Sequence, residues 1–297
     1  MKHPNPLMLV RIAQGDAYGL ATEYIKFPRD QAIYDKALKF ESYGQHPTHS
    51  LKPGCYSDDT QMSIGVTEVL LEEEGYFVLT SRFAEAFVRC FKRDPRDGYA
   101  RGFQAFLETV KDGSDFIARI DPKSDKNGAA MRSVPLGVLA DPIHVRYMAN
   151  LQAKLTHDTL QGVESSILVA LMSHFALHTD EPLSRLPEWL EKQLPAIVPR
   201  FIAPWEGGPV KVPEVGINTA RAVMTLLATE TSLIGIAKRT IEWGGDTDSV
   251  LAVAWGIASA RFQNEQLPMF FDGGLENGPY GYKFLKELGT KLMGKYA

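Results

Sequence analysis

The chain has 297 residues, 44% hydrophobic and 23% charged, enough apolar content for a sizeable core in one large domain or two small ones. A formal net charge of −4 and a pI near 6.0 exclude recruitment of nucleic acid or an anionic membrane by bulk electrostatics. The two cysteines, Cys55 and Cys90, form no metal-type pair, and so few in so long a chain fit a reducing compartment better than a disulfide framework.

The N-terminal stretch MKHPNPLMLVRIAQGD carries an apolar run ahead of Arg11 that is shorter than a signal peptide needs. No apolar run is read as approaching the ~20 residues that span a bilayer, so a soluble, cytoplasmic, monomeric protein is expected. GDAYGLATEY (15–24) follows. Gly15 and Gly19, four apart on a predicted helix, permit close helix approach, and Asp16 and Glu23, seven apart, project from one helical face. A close-packed helix with solvated acids describes the same residues.

YSDDTQ (56–61) has the form of a helix start, with Ser57 as N-cap and Asp58 and Asp59 in the first turn. QMSIGVTEVLLEEEG then places Met62, Val66, Val69 and Leu70 at helical spacing and stops at Gly75. LTSRFAEAFVRCFK repeats the period with Phe83, Phe87 and Phe91, a core stripe. In DKNGAAMRSVPLG (125–137), Asn-Gly predicts a turn, and free backbone N–H groups leading into a helix make an anion cradle. A plain turn with a satisfied arginine is the alternative.

GVESSILVALMSHFALH is apolar on nearly every side and predicts a central, buried helix. The proline-rich span 182–213 contains Trp189 and Trp205, and so reads as an irregular excursion packed on the domain rather than a linker. Strand patterns are scarce, and PVKVPEVG is the best of a weak set. TARAVMTLLATETSLIGIAKRTIEW and SVLAVAWGIASARF predict two more apolar helices, and YKFLKELGTKLMGK is amphipathic. The expectation is an all-α single domain over 1–297, without internal repeats or low-complexity segments.

The acids suggest chemistry only when taken together. GGDTDS (244–249) places Asp246 and Asp248 two apart, flanked by Thr247 and Ser249, ahead of an apolar helix. Alone it is a turn and a capped helix. Beside Asp58 and Asp59, it makes four carboxylates that would repel one another and raise each other's pKa values unless cations intervene. An all-oxygen ligand set points to Mg²⁺, Mn²⁺ or Ca²⁺ rather than Zn²⁺.

GDAYGLATE, SDDT, NGAAMR, LTH and GGDTDS, in this order and at these separations, resemble the ADP-ribosylglycohydrolase family, especially its bacterial dinitrogenase-reductase-activating branch. The motifs run from about residue 11 to 260. The resemblance implies an all-α domain with a cleft for two divalent cations, Mg²⁺ or Mn²⁺. Their ligands would be Ser57, Asp58, Asp59, Asp246, Asp248 and Ser249. Glu23 matches a glutamate that lies by the metals in some members and takes part in catalysis. Asn127, Gly128, Met131 and Arg132 would line the ADP-ribose site, and His157 would contact the ligand.

The chain departs from the pattern in two ways. Ser57 and Ser249 stand where many members have threonine, which keeps the oxygen ligand. Lys126 replaces the first glycine of a Gly-Asn-Gly loop. RDPRDGYARGF (93–103) resembles a substrate-facing loop of the arginine-directed branch, which brings in Asp94 or Asp97, and Tyr99; a solvated helix connection is the other reading.

The implied reaction cleaves the ribose C1″ bond of an ADP-ribosylated side chain, arginine first, with serine-linked, O-acetyl and nucleic-acid conjugates open. Asp58 or Asp59 would activate the water, with Glu23 assisting. Two competing readings remain. One is a His-Asp phosphohydrolase built on the His157–Asp158 pair of THDT with His144, His174 and His178, which leaves both acidic motifs idle. The other is a non-catalytic relative such as a lens crystallin, in which loss of the acidic ligands would be expected.

Overall fold

The computed structural model describes residues 1–197, 203–206 and 211–297. Among these residues there are α-helices and short 3₁₀ turns but no strand; only isolated bridges pair Lys123 with His157, Lys126 with Val215, and Val212 with Gly245. In chain order the helices are α1 (Met8–Gly19), α2 (Gln31–Ala37), α3 (Asp58–Glu72), α4 (Thr80–Arg93), α5 (Arg101–Thr109), α6 (Gly113–Arg119), α7 (Gly128–Met131) and α8 (Pro142–Lys154). Then follow α9 (Leu160–His178), α10 (Leu186–Gln193), α11 (Gly216–Thr229), α12 (Leu233–Trp243), α13 (Thr247–Ala258), α14 (Phe270–Gly273) and α15 (Tyr282–Tyr296). Buried side chains from α1 through α15 form one contiguous core.

The pairing that sets the site is α1 on α13. Gly15 and Gly19 make it possible, as their spacing predicts. A Cβ at Gly15 would lie 2.6 Å from the Leu251 carbonyl oxygen, and one at Gly19 2.5 Å from the Asp248 Cα. The two backbones therefore touch where α13 begins. Every residue of α13 is buried. Burial of Leu251, Val253, Trp255 and Ile257, about 1.5–3 kcal/mol each, offsets the cost of the carboxylates at its first turn.

Three helix boundaries differ from the sequence expectation. The run 219–243 is two helices, not one: Glu230 N–H closes α11 on Leu226 O, and Ser232, extended, accepts from Gly235 N at 2.9 Å to start α12. Hydroxyl side chains at 229, 231 and 232 compete with the helical backbone there. The third helix stops at Glu72 rather than Gly75, because consecutive glutamates oppose the negative end of the dipole. Glu23 is not on the helix of Asp16; α1 ends at Gly19, a 3₁₀ turn spans Leu20–Thr22, and Glu23 lies in the turn that follows.

By length and composition alone, α9 is apolar enough to cross a bilayer, contrary to the reading that no such run exists; 78% of its most apolar window is buried inside the protein. The proline-rich excursion does pack on the domain. Leu183, Leu186, Leu190, Leu194 and Trp205 are buried, and Trp189 lies 5.3 Å from the Phe175 ring. Parts of that span and the start of PVKVPEVG fall outside the described residues; its remainder supplies two isolated bridges instead of a strand. Cys55 and Cys90 are both free.

Candidate active site

Four aspartates meet because two helix N-termini face each other across α1. The organiser is Asp16, with none of its surface exposed. Its carboxylate accepts from Ser57 N at 3.0 Å, Ser57 Oγ at 2.8 Å, Thr60 N at 3.1 Å and Thr60 Oγ1 at 2.6 Å. Asp16 thus caps α3 from another helix. Ser57 sits at the N-cap position, yet its hydroxyl serves Asp16 rather than its own helix. Asp58 and Asp59 then project from the first turn of α3 into a cleft of about 460 Å³.

Asp246, Asp248 and Ser249 enter the same cleft from the start of α13. Their approach depends on Gly244 and Gly245, at φ +64° and +92°. A Cβ on Gly245 would lie 2.1 Å from Val212 O, so glycine is required. Asp246 N donates to Val212 O at 3.0 Å, and Thr247 Oγ1 donates to Gly19 O at 2.8 Å, fixing the turn on both sides. Ser249 Oγ donates to Asp59 Oδ2 at 3.2 Å and ties the two acidic helix starts together. Asn127 Nδ2 donates to Asp246 Oδ2 and, at 3.2 Å, to Thr219 Oγ1.

Protein donors do not satisfy this cluster. Asp59 Oδ1 and Asp248 Oδ1 are buried with no hydrogen-bond partner, each a cost of about 1–3 kcal/mol if nothing else binds it. Burial, then the charge of Asp16, pushes Asp58 up to about 8; burial, then Glu23, pushes Asp246 up to about 7. Asp59 and Asp248 are also held well above the ordinary carboxylate range, by burial first. Glu23, Asp246 and Asp248 each place an oxygen within 4.8 Å of the others. Orphaned oxygens on clustered acids are a donor set that fits divalent cations.

Asn127, Gly128, Met131, Arg132, Tyr99 and His157 line the same cleft. Arg132 is buried and donates to Gln152 O at 3.0 Å and Thr156 Oγ1 at 2.7 Å, with its guanidinium 4.5 Å from the Phe87 ring centre. Its partners are neutral, and burial brings it down to about 9.

The family model for ADP-ribosylglycohydrolases matches residues 8–296. The chain belongs to the ADP-ribosylglycohydrolase family. It is 27% identical over 265 residues to ADP-ribosylhydrolase ARH3 of Bos taurus, covering 72% of each chain. Against ARH3 of Xenopus tropicalis it is 26% identical over 294 residues, covering 81% of this chain and 82% of the relative. Its fold matches a solved ADP-ribosylglycohydrolase-related protein complex with a TM-score of 0.75 at 22% identity, over 98% of this chain and 97% of the other.

Within this glycohydrolase fold, several residues stand differently from the sequence expectation. Asp94 does not line the cleft. Its carboxylate pairs with Arg96 at 2.7 Å, and that guanidinium also holds Glu276 and lies 3.6 Å from the Tyr56 ring centre. Asp97 is not in the cleft either, because Ser50 and Gln104 engage it. The segment faces the cleft through Gly98, Tyr99 and Ala100 instead. Gly98 has φ +121°, and a Cβ there would lie 2.6 Å from Asp58 Oδ1. Ser57 stands behind the lining residues, against Asp16.

Sequence reasoning missed the wall formed by Phe103, Phe106, Arg119 and Ile120. The i, i+3 spacing of the two phenylalanines was the available signal. It also missed the partners of Glu23. His49 Nε2 lies 3.0 Å from Glu23 Oε2, and the carboxylate raises the pKa of that imidazole. His46 donates Nε2–H to Glu23 O at 2.8 Å, while its Nδ1 accepts from the N–H groups of Thr48 and His49. Both His46 nitrogens are spent, which leaves it no lone pair for a metal. His174 and His178 stack 4.4 Å apart and bond Leu139 O and Val138 O, outside the cleft. These two rings therefore supply no ligand to a His-Asp metal centre at the cleft.

The raised aspartate pKa values carry a stability prediction. A folded carboxyl with an elevated pKa holds a proton that the unfolded chain releases, so stability falls as pH climbs from about 4 through about 8. Chelator-treated protein is expected to melt at lower temperature at pH 8 than at pH 5.5, by roughly 2–4 °C per kcal/mol. Added Mg²⁺ or Mn²⁺, which binds the ionised form, is expected to raise Tm more at pH 8 than at pH 5.5. A thermal shift series checks both.

Proposed function

We propose that this family member is a divalent-metal-dependent hydrolase of the ribose C1″ bond in ADP-ribosylated substrates. The observation that carries the reading is the aspartate quartet with two orphaned oxygens, on a fold whose family is established. Asp58, Asp59, Asp246, Asp248 and Ser249 would hold two Mg²⁺ or Mn²⁺ ions, with Ser57 behind them. Bound there, the ions supply Lewis acidity toward a water and the ribose hydroxyls.

The remaining work falls to side chains. Asp58 takes the proton of the water that adds to C1″, and Asp59 shares that role. The clustered carboxylates stabilise the positive oxocarbenium character that builds as the bond to the leaving group breaks. Asn127, Gly128, Met131 and Tyr99 form the walls that orient the substrate. Glu23 stands at the edge, braced by His49.

Arginine is the first linkage, because a guanidine leaves already protonated and asks no acid of the site. One observation favours serine-type O-glycosides as a second reading. The Glu23–His49 pair, 3.0 Å apart, can hold a proton at the cleft edge for an oxygen leaving group. The test is release of ADP-ribose from arginine- and serine-modified proteins by metal-stripped enzyme, with and without added Mg²⁺ or Mn²⁺. Metal-dependent release from arginine supports the first reading, and release from serine alone supports the second. No release from either substrate, with no metal bound in a calorimetric titration, would return the non-catalytic reading.

A further inference from the structure

A neutral imidazole has one donor and one acceptor nitrogen, and the partner of one nitrogen decides the chemistry of the other. His157 Nδ1 lies 2.7 Å from Thr156 Oγ1, and two assignments of that hydrogen bond are open when the pair is taken alone. The neighbour on the far side removes one. Arg132 Nη2 lies 2.7 Å from the same Thr156 oxygen, and a guanidinium can only donate. Thr156 Oγ1 therefore accepts from Arg132.

The hydroxyl hydrogen of Thr156 is then left with a single acceptor among the described residues, His157 Nδ1. If Nδ1 carried the hydrogen instead, the buried Thr156 O–H would have no acceptor among the described residues. The imidazole hydrogen thus belongs on Nε2. That edge of the ring faces the start of α7 and the cleft: a Cβ on Gly128 would lie 2.9 Å from His157 Cε1 and 3.1 Å from Nε2.

Arg132 is held in turn by Gln152, whose Oε1 accepts from Arg132 Nε and whose Nε2, with its two hydrogens, lies 2.9 Å from Ala129 O, 2.9 Å from Ser133 Oγ and 2.8 Å from Ser166 Oγ. Every member of this network is buried.

We propose that the Arg132–Thr156 relay fixes His157 as the neutral Nε2–H tautomer, so that the cleft presents a donor-only N–H to an acceptor oxygen of the ligand. Arg132 then acts as a positioning residue through Thr156. The ligand part rests on the ADP-ribose reading above, where the acceptor is a phosphate or ribose oxygen; the tautomer does not depend on it. Burial and the Arg132 charge also push His157 down to about 3, so the ring stays neutral at working pH.

The test reads the tautomer directly. In the full ¹⁵N-labelled chain without ligand, at pH 7, His157 is identified by comparison with His157→Gln. Its Nε2 is expected to show the shift of a protonated nitrogen and its Nδ1 that of a bare one, unchanged to pH 5. Thr156→Val should abolish the single tautomer and weaken ADP-ribose binding by roughly 5- to 10-fold. Thr156→Ser should restore both. A protonated Nδ1 in the wild type, an imidazolium, or an unchanged tautomer in Thr156→Val would each overturn the relay. A confirmed tautomer in a protein that binds no ADP-ribose would leave the relay standing and defeat the ligand reading.

Discussion

Asp58→Asn and Asp246→Asn are each expected to lower ADP-ribose release by about 10²–10⁴-fold and to weaken Mg²⁺ or Mn²⁺ binding in the same variant. Asparagine preserves volume and one acceptor oxygen, so the loss reports the charge. The two losses should travel together because the proposed function gives the cleft's aspartates both roles, and two of their oxygens have no protein partner. His174→Gln is expected to leave cation binding intact, because that ring is bonded to Leu139 O outside the cleft. Turnover with substrate and calorimetry with the metal alone measure the two effects separately. An Asp58→Asn protein with full activity would remove Asp58 from the mechanism.

Asp16→Ala is expected to destabilise the protein by about 3–5 kcal/mol, a fall in Tm of roughly 10 °C. The side chain reaches no substrate. It holds two backbone N–H groups and two hydroxyls at the start of α3, all buried, and alanine would strand every one of them. Asp16→Asn tests a second point. Burial is the main cause of the raised pKa values of Asp58 and Asp59, and the variant removes the Asp16 charge that adds to it, so the pH dependence of the metal-free melting temperature should shrink. Thermal unfolding of the two variants across pH distinguishes lost capping from lost charge.

Much of this architecture is written in local patterns. Small residues at 15 and 19, the buried run 160–178 and the paired acids at 58–59 and 246–248 each carry their own signal, and each is placed as its pattern implies. What could not be read is what depends on partners distant in sequence. Asp16 looks like a solvated acid on a helix, and only the arrival of Ser57 and Thr60 makes it a cap. Glu23 keeps helical spacing from Asp16 in sequence, but the chain leaves the helix after Gly19. Asp94 and Asp97 are equivalent by composition, and side-chain partners at 96, 50 and 104 turn both away from the cleft. A plain alternation of apolar residues across 219–243 hid a break that three hydroxyl side chains make.

The contact between α1 and α13 has a consequence for how the molecule comes into being. Gly15 lies against Leu251 and Gly19 against Asp248, so the two strips of backbone that frame the cleft are far apart in sequence. Closing so long a loop costs little more free energy than closing a moderate one, since the entropy grows only as a logarithm of length, but it delays folding. The face of α1 that meets α13 can be covered only once residues 247–258 have been made, although α3 lies against the same helix. The aspartates of α3 likewise have no opposing pair until then. The two pairs of aspartates come together only where α13 docks on α1, so the cleft is completed by the same long-range contact that closes the fold.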